Sequence, residues 1–407
     1  MSETSRPAVS PARATLIGGL LTAIASVSMA LYTPAMPALV TALGTTMATI
    51  KLSLSAYFAG FALAQLVCGP LSDAYGRRPI AFAFLALYTV AGVAASLAGT
   101  VEVLIAARLV QGVGAAVGVA ISRAVVRDLF TGQESARVMN AIGIVLAAGP
   151  AIAPTIGGLL SQTLGWHAVF VAMTVFGAGA LASVYFALPE TNRTPDPALA
   201  RPGRVLATYR SLLGDRRFLA PALAISFSVG PIYSLGTMLP FVLIDRVSLT
   251  PTAFGVGMLA QTGSFFAGGL FARRLMAVVS ADRMVLPGLV LSFSGAAATL
   301  AIGVLWPASY AAVMIPVGVF AFAMALVIPP LTTAALAPFA TTAGSASALM
   351  GFLQMSTGFL GGTAATLFTD PVTGLKVVFP TMLAVAVAAG LWKRRIVHDG
   401  AAVEHGG

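Results

Sequence analysis

Apolar positions run together in long blocks separated by short polar breaks, and twelve such blocks can be read along the chain. Their limits are 15–37, 49–70, 80–98, 102–126, 138–162 and 166–188, then 218–244, 252–272, 284–304, 309–333, 343–368 and 376–392. As helices, blocks of this length cross about 30 Å of hydrocarbon, so the pattern predicts an all-α polytopic membrane protein. Short breaks force neighbouring spans to pack antiparallel. One polar interval is long: it runs over 189–217 and contains PETNRTPDPALARPGR. It divides the chain into an N-terminal half, 1–188, with a short tail over 1–14, and a C-terminal half, 218–392, followed by a second tail over 393–407.

Composition excludes the soluble alternative. The 407 residues are 58% hydrophobic and 9% charged, and mean hydropathy is +0.93. Soluble domains carry about 25% charged residues, and single cores stop growing near about 250–300 residues. The first apolar block is far longer than the core of a signal peptide and lacks a small-residue cleavage site, so it reads as a retained membrane anchor. The single cysteine, Cys68, excludes an internal disulfide and a cysteine-rich metal site.

A net charge of +10 raises the question of nucleic acid, and the placement of the charges answers it. With the N-terminus inside, eighteen basic residues fall on the cytoplasmic side, among them Arg6, Arg77, Arg78, Arg127, Arg193, Arg216, Arg273 and Arg394. Three, Lys51, Arg246 and Lys376, fall outside. This is the positive-inside asymmetry of a membrane protein with both termini cytoplasmic, and no nucleic-acid partner is implied. Arg108 and Arg123 remain, both in span 4.

Arg108 opens the stretch RLVQGVG inside an apolar run. An arginine there costs about 2.5–3.5 kcal/mol on insertion scales. On a helix Arg108, Gln111 and Ala115 share one face, and that face is expected to look into the bundle or a wet cavity. The alternative is a side chain reaching out to the external interface near Glu102. Gly112, Gly114 and Gly118 in span 4, and Gly149, Gly157 and Gly158 in span 5, would let helices approach closely. In span 5, Pro150 and Pro154 each remove a backbone donor, so a bend is expected.

Between spans 2 and 3 the chain reads GPLSDAYGRRP, Gly69 to Pro79. Asp73 suits a helix N-terminus, Gly76 permits a tight turn, and Arg77 and Arg78 are expected to reach a carboxylate at another helix end, with Asp128 as partner. This loop resembles the signature of the major facilitator superfamily, although Ala74 stands where relatives often carry a basic residue. The resemblance implies two six-helix halves that rock about a midplane site, with the loop cluster as a latch. Arg123, four residues before Arg127, is expected to join that cluster. The span-8 end GGLFARRL, from Gly268, echoes the same loop faintly.

RLVQGVGAAVG resembles the span-4 signature of that superfamily, which implies a role for Arg108 in proton coupling or substrate binding. GPAIAPTIGG, Gly149 to Gly158, resembles the antiporter signature of drug exporters. With YTPAMP at Tyr32, GWHAVF at Gly165, LPFVLIDRVSLTP at Leu239 and GSASALMGFLQM at Gly344, the chain is similar to the bicyclomycin-resistance (Bcr/CflA) branch of the drug:proton antiporters. That resemblance implies a small-molecule substrate, proton exchange, a monomer in the bacterial cytoplasmic membrane, and no cofactor.

One departure matters. Ala30 occupies a position that is usually acidic in relatives, and no Asp or Glu lies near the middle of any span. No histidine substitutes: His167 is external, and His398 and His405 lie in the tail. Tyr32, Tyr57, Phe58, Phe61 and Gln65 from the first half, and Phe227, Tyr233, Gln261, Phe265, Phe352 and Gln354 from the second, are candidate pocket residues. Aromatic walls with a few amides match small-molecule sites. With Arg108 inside and no midplane carboxylate, neutral or anionic amphiphiles are expected over lipophilic cations. A membrane enzyme finds no histidine or cysteine cluster, paired carboxylates or phosphate loop in its support. Metabolite import remains the alternative direction.

Overall fold

The computed structural model describes residues 9–192, 194–305 and 307–405. Arg6 and Arg193 lie outside the described residues, as do the side chains of Pro150, His398 and His405.

Twelve membrane-length helical units make two bundles of six. The first half consists of span 1 (Pro11–Tyr32), span 2 (Met47–Tyr75), span 3 (Arg77–Ser96), span 4 (Val101–Ala115 and Val117–Leu129), span 5 (Gly132–Leu164) and span 6 (Trp166–Ala187). The second consists of span 7 (Arg216–Pro240), span 8 (Pro251–Gly257 and Leu259–Leu275), span 9 (Ala281–Ala298), span 10 (Tyr310–Leu336), span 11 (Ala343–Ala364) and span 12 (Pro371–His405). Among the described residues nine of these meet the length and hydropathy expected of a membrane crossing; spans 5, 8 and 11 complete the set.

Local chemistry starts the helices. Ser10, Thr46, Thr100, Asp215, Thr250 and Ser309 each place a side-chain oxygen on a free N–H of the first turn, which satisfies one of the donors that a helix start leaves open. Gly76, at φ +102°, separates spans 2 and 3 in a backbone conformation that favours glycine.

Each half has its own apolar core. Leu21, Phe61, Leu85, Ile121 and Phe170 belong to the first, and Phe218, Leu239, Leu289, Phe320 and Phe379 to the second. Between the halves, main chain meets main chain where spans 5 and 8 cross. A Cβ on Gly158 would collide with the Pro251 carbonyl, and one on Gly255 with the Pro154 carbonyl. Spans 2 and 11 form the other crossing, with Ser55 against Gly362 and Gln65 against Gly351.

Several expectations need correction. Span 4 is interrupted at Ala116, and span 7 ends in a π-helical turn, Phe241–Arg246. Span 5 is longer than its apolar block, helical from Gly132 to Leu164. The 189–217 interval is not a plain linker: it holds a helix, Pro202–Gly214, with Tyr209 and Leu212 buried and Leu206 and Leu213 exposed. The Tyr209 hydroxyl donates to the Leu66 carbonyl at 2.7 Å, pinning this helix to span 2. Lys51, counted among the external basic residues, is fully buried one turn inside span 2.

Candidate functional site

Span 4 carries Arg108 and Gln111 on one face, three residues apart. Arg108 lies about 10 Å along the helix from Val101, at about 1.5 Å per residue, and has 0% of its surface exposed. It therefore points into the first bundle, and the alternative of a side chain reaching toward Glu102 at the interface is excluded. Nη1 donates to Gln111 Oε1 at 2.5 Å and approaches Met173 Sδ of span 6 at 3.8 Å.

Two tyrosines face the guanidinium. Its Cζ stands 4.6 Å from the Tyr32 ring centroid and 4.4 Å from that of Tyr57, within the range in which an aromatic face attracts a cation. Both rings are fixed by their hydroxyls. Tyr32 bonds Ser53 Oγ at 2.5 Å, and Tyr57 donates to the Ala25 carbonyl at 3.2 Å. Tyr88 of span 3, hydrogen-bonded to Ser28, completes the buried tyrosine set. Spans 1, 2, 3, 4 and 6 thus converge on one cation. Among the described residues no carboxylate pairs with it, and Arg108 Nε and Nη2 and Gln111 Nε2 have no hydrogen-bond partner.

The remaining pocket candidates divide. Phe61 is buried beside Tyr57, with ring centroids 6.4 Å apart, and does not line an open passage. Phe58 and Tyr233 meet across the seam with ring centroids 5.3 Å apart and planes tilted by 48°, so an aromatic path runs from Arg108 through Tyr57 and Phe58 to the second half. Gln65 lies at the seam against Gly351, with Oε1 unpartnered. Gln261, Phe265, Phe352, Gln354 and Phe227 are half-buried in spans 7, 8 and 11 and are not brought to Arg108. A cavity of about 980 Å³ lies elsewhere, among Leu159, Gln162, Leu249, Thr252, Val256 and Tyr310.

At the end of the bundle bearing the 69–79 loop, Arg77 links two carboxylates. It pairs with Asp73, and its Nε donates to Asp128 Oδ2 at 3.1 Å. Ser72 Oγ accepts from Arg77 Nη1 at 2.8 Å. The carboxylate at the N-terminus of span 3 is not Asp73 but Glu190, which accepts the backbone N–H of Arg77 at 2.9 Å and of Arg78 at 3.1 Å. A Cβ on Gly76 would lie 2.5 Å from Glu190 Oε2, so glycine is needed for contact as well as for φ. Arg78 donates to the Tyr185 carbonyl at 2.7 Å and makes no bond to Asp128. Gly69 lies in open space. Thr191 donates to Asp128, and Asn192 to the Asp73 carbonyl at 2.8 Å, so the start of the linker closes the cluster.

Arg123 does not join this cluster. Its Nη1 donates to Ser347 Oγ of span 11 at 3.3 Å, which makes it a bridge between the halves. The helix turn that carries it faces span 11, and proximity to Arg127 in sequence gave no sign of that. At the other end of the bundle Lys51 makes a second bridge. Its Nζ donates to the Ala365 carbonyl at 3.3 Å and lies 5.4 Å from the Phe241 ring centroid.

Span 5 lies at the seam. Gly149 faces Ser26 of span 1, Gly157 packs against the Leu31 carbonyl, and Gly158 and Pro154 meet span 8. Gly157, Gly158 and, opposite the Pro154 carbonyl, Gly255 are where close packing requires glycine; the Pro150 side chain is outside the described set.

Similar proteins agree with this architecture. A sequence profile described as "Major Facilitator Superfamily" matches residues 18–362. "Uncharacterized MFS-type transporter YdgK" of Bacillus subtilis (strain 168) is 29% identical over 354 residues, covering 84% of this chain and 85% of that protein. "Multidrug resistance protein D" of Escherichia coli (strain K12) is 27% identical over 363 residues, covering 87% and 88%. The crystal structure of a D-xylose-proton symporter superposes with a TM-score of 0.73 at 13% identity, covering 94% of this chain and 96% of that one, a likeness of fold alone. A twelve-helix bundle in two halves, matched by the family profile over most of its length, identifies the chain as a transporter belonging to the Major Facilitator Superfamily.

Proposed function

We propose that this chain exports small amphiphilic, drug-like compounds, neutral or anionic, by alternating access of its two halves, as a Bcr/CflA-like drug:proton antiporter of the bacterial cytoplasmic membrane. The observation that carries the reading is Arg108. A buried guanidinium with no carboxylate partner is costly in a membrane protein, and such a residue marks a functional site. A cation beside it would have to be desolvated against an unpaired positive charge, whereas a neutral or anionic compound would not.

Export is supported by the glycine-and-proline face of span 5 at the seam, and by the name of the Escherichia coli relative, "Multidrug resistance protein D". Orientation follows the positive-inside rule, with the Arg77 cluster and both termini cytoplasmic. Asp73, Arg77, Arg78 and Asp128 serve as the latch around Gly69 and Gly76, and Glu190 holds the start of span 3 in place. Tyr32, Tyr57, Phe61, Gln65 and Tyr233 form the aromatic and amide lining that is uncovered when the halves part. Gln261, Phe352 and Gln354 contribute from the second half. Protons and the transported compound are the partners, and the chain works as a monomer without a cofactor.

Ala30 favours a second reading, import or facilitated movement of a metabolite, because the usual acidic residue is missing there. Counterflow in proteoliposomes with and without a pH gradient separates the two: gradient-driven accumulation supports antiport, and gradient-independent exchange supports a facilitator. Substrate preference is tested in cells overproducing the chain, comparing chloramphenicol-like neutral compounds with ethidium-like cations. Resistance to the neutral compounds, lost in Arg108→Ala, is expected. Robust export of the cations that survives Arg108→Ala would overturn the reading.

A further inference from the structure

Arg108 uses only part of its hydrogen-bonding capacity. A guanidinium has five N–H donors and no acceptor, and Nη1 alone is engaged, by Gln111 Oε1 and loosely by Met173. Nε and Nη2 are buried and without a partner among the described residues, and so is Gln111 Nε2. Nε–H and Nη2–H lie along one edge of the planar group. That edge receives a carboxylate or another anion through two parallel bonds. The guanidinium stands over the Tyr32 and Tyr57 rings, which attract positive charge but accept no hydrogen bond from Nε or Nη2.

Charge balance points the same way. The side chain is 0% exposed, so bulk water does not screen it. The ion pairs of the described residues, Arg77 with Asp73 and Asp128, Arg246 with Asp370, and Lys393 with Asp282, all lie on other arginines or lysines. An isolated buried cation is more costly than a paired one. A single negative charge at this edge would remove both the charge imbalance and the unmet donors.

We infer that the Nε/Nη2 edge of Arg108 is a binding site for one small monovalent anion, either a free halide or the carboxylate of a transported compound. The inference rests on the reading of this site as part of the transport path, and it adds a chemical class of ligand. A free halide would neutralise the resting site and give way to an anionic substrate.

The test is thermal unfolding of the purified full chain at constant ionic strength. Sulfate is replaced stepwise by chloride, by bromide or by benzoate. A saturating rise of about 2 °C or more in midpoint is expected for the wild type. It should vanish in Arg108→Gln and in Gln111→Glu. The second change is nearly isosteric and sets a carboxylate where Oε1 already meets Nη1, supplying the negative charge from within. A response to chloride and bromide alone assigns a free ion; a benzoate response that competes with chloride assigns a substrate carboxylate. An equal rise in all three proteins would be a general salt effect and would overturn the site, as would no rise in the wild type. Should cells show no export while the anion response holds, the transport reading falls and the site stands. Export without an anion response removes the site and leaves the transport reading standing.

Discussion

Replacing Lys51 by methionine tests how the two halves are balanced. The ammonium is fully buried where spans 2 and 11 meet, with one acceptor, the Ala365 carbonyl at 3.3 Å, and one ring, Phe241, at 5.4 Å. A hydrogen bond from a charged donor contributes about 1.5–3 kcal/mol, and a partly desolvated ring face about 0.5–2 kcal/mol. Against these stands an effective desolvation penalty of several kcal/mol for the buried ion. Two of its three N–H groups gain nothing in this arrangement, so the cation is near balance or net unfavourable while this end is closed. It recovers its hydration only when the halves part there. An apolar side chain of similar volume in place of buried charge stabilises by about 1–4 kcal/mol, and about 1.4 kcal/mol is a tenfold change in an equilibrium. Lys51→Met is therefore expected to raise the closed-to-open ratio at this end about tenfold or more, and to slow transport. Spin or fluorescent labels at the exposed positions Ala42 and Thr369, in a Cys68→Ser background, would report the separation. Distances unchanged from wild type, or shifted toward the open form, would show that Lys51 clasps the seam instead of straining it.

Other changes follow from named contacts. Glu190→Ala removes the acceptor of two backbone N–H groups at the start of span 3; it should cost about 1–3 kcal/mol, read as a lower thermal midpoint. Gly112→Ala should cost about 1–3 kcal/mol by overpacking, because its Cβ would strike the Tyr57 carbonyl. Gly263→Ala, inside a helix and facing open space, should not lower the midpoint and should raise it by up to the equivalent of about 0.5–1 kcal/mol. Burial pushes the Asp370 carboxyl up, but hydrogen bonds from Thr373 and Arg246 outweigh it and hold the group below its ordinary value of 3.8. Its stabilising contribution is present above that value and lost as pH falls through the lowered one. Asp370→Asn should thus be less stable than wild type at neutral pH, with the difference shrinking below pH 3.8.

The bilayer writes its demands in blocks, which is why span number and the inward direction of Arg108 could be read from residue order. Arg108 and Gln111 meet because a helix brings i and i+3 together, and the Arg77–Asp128 pair followed from two helix ends on the same side. Glu190 was hidden because it lies 113 residues from Arg77 and no local pattern joins them. Lys51 and Arg123 were misplaced for a related reason: each sits within a turn or two of a helix end, where sequence alone does not say which neighbour the side chain will face. The Pro202–Gly214 helix was masked by proline, glycine and arginine, although Val205, Tyr209 and Leu212 carry a helical spacing on one face. Tyr88 gave no signal, since a tyrosine in an apolar run looks the same whether it packs or supports a charge.

The crossing of spans 5 and 8 has an evolutionary consequence. Its contact surface is carbonyl oxygen against glycine, at Gly158 with Pro251 and Gly255 with Pro154. A contact built from main chain does not depend on which larger residues surround it. On the proposed alternating-access reading, drift at the aromatic and amide positions would change the compounds selected without disturbing this crossing, so that descendants inherit the same seam between the halves.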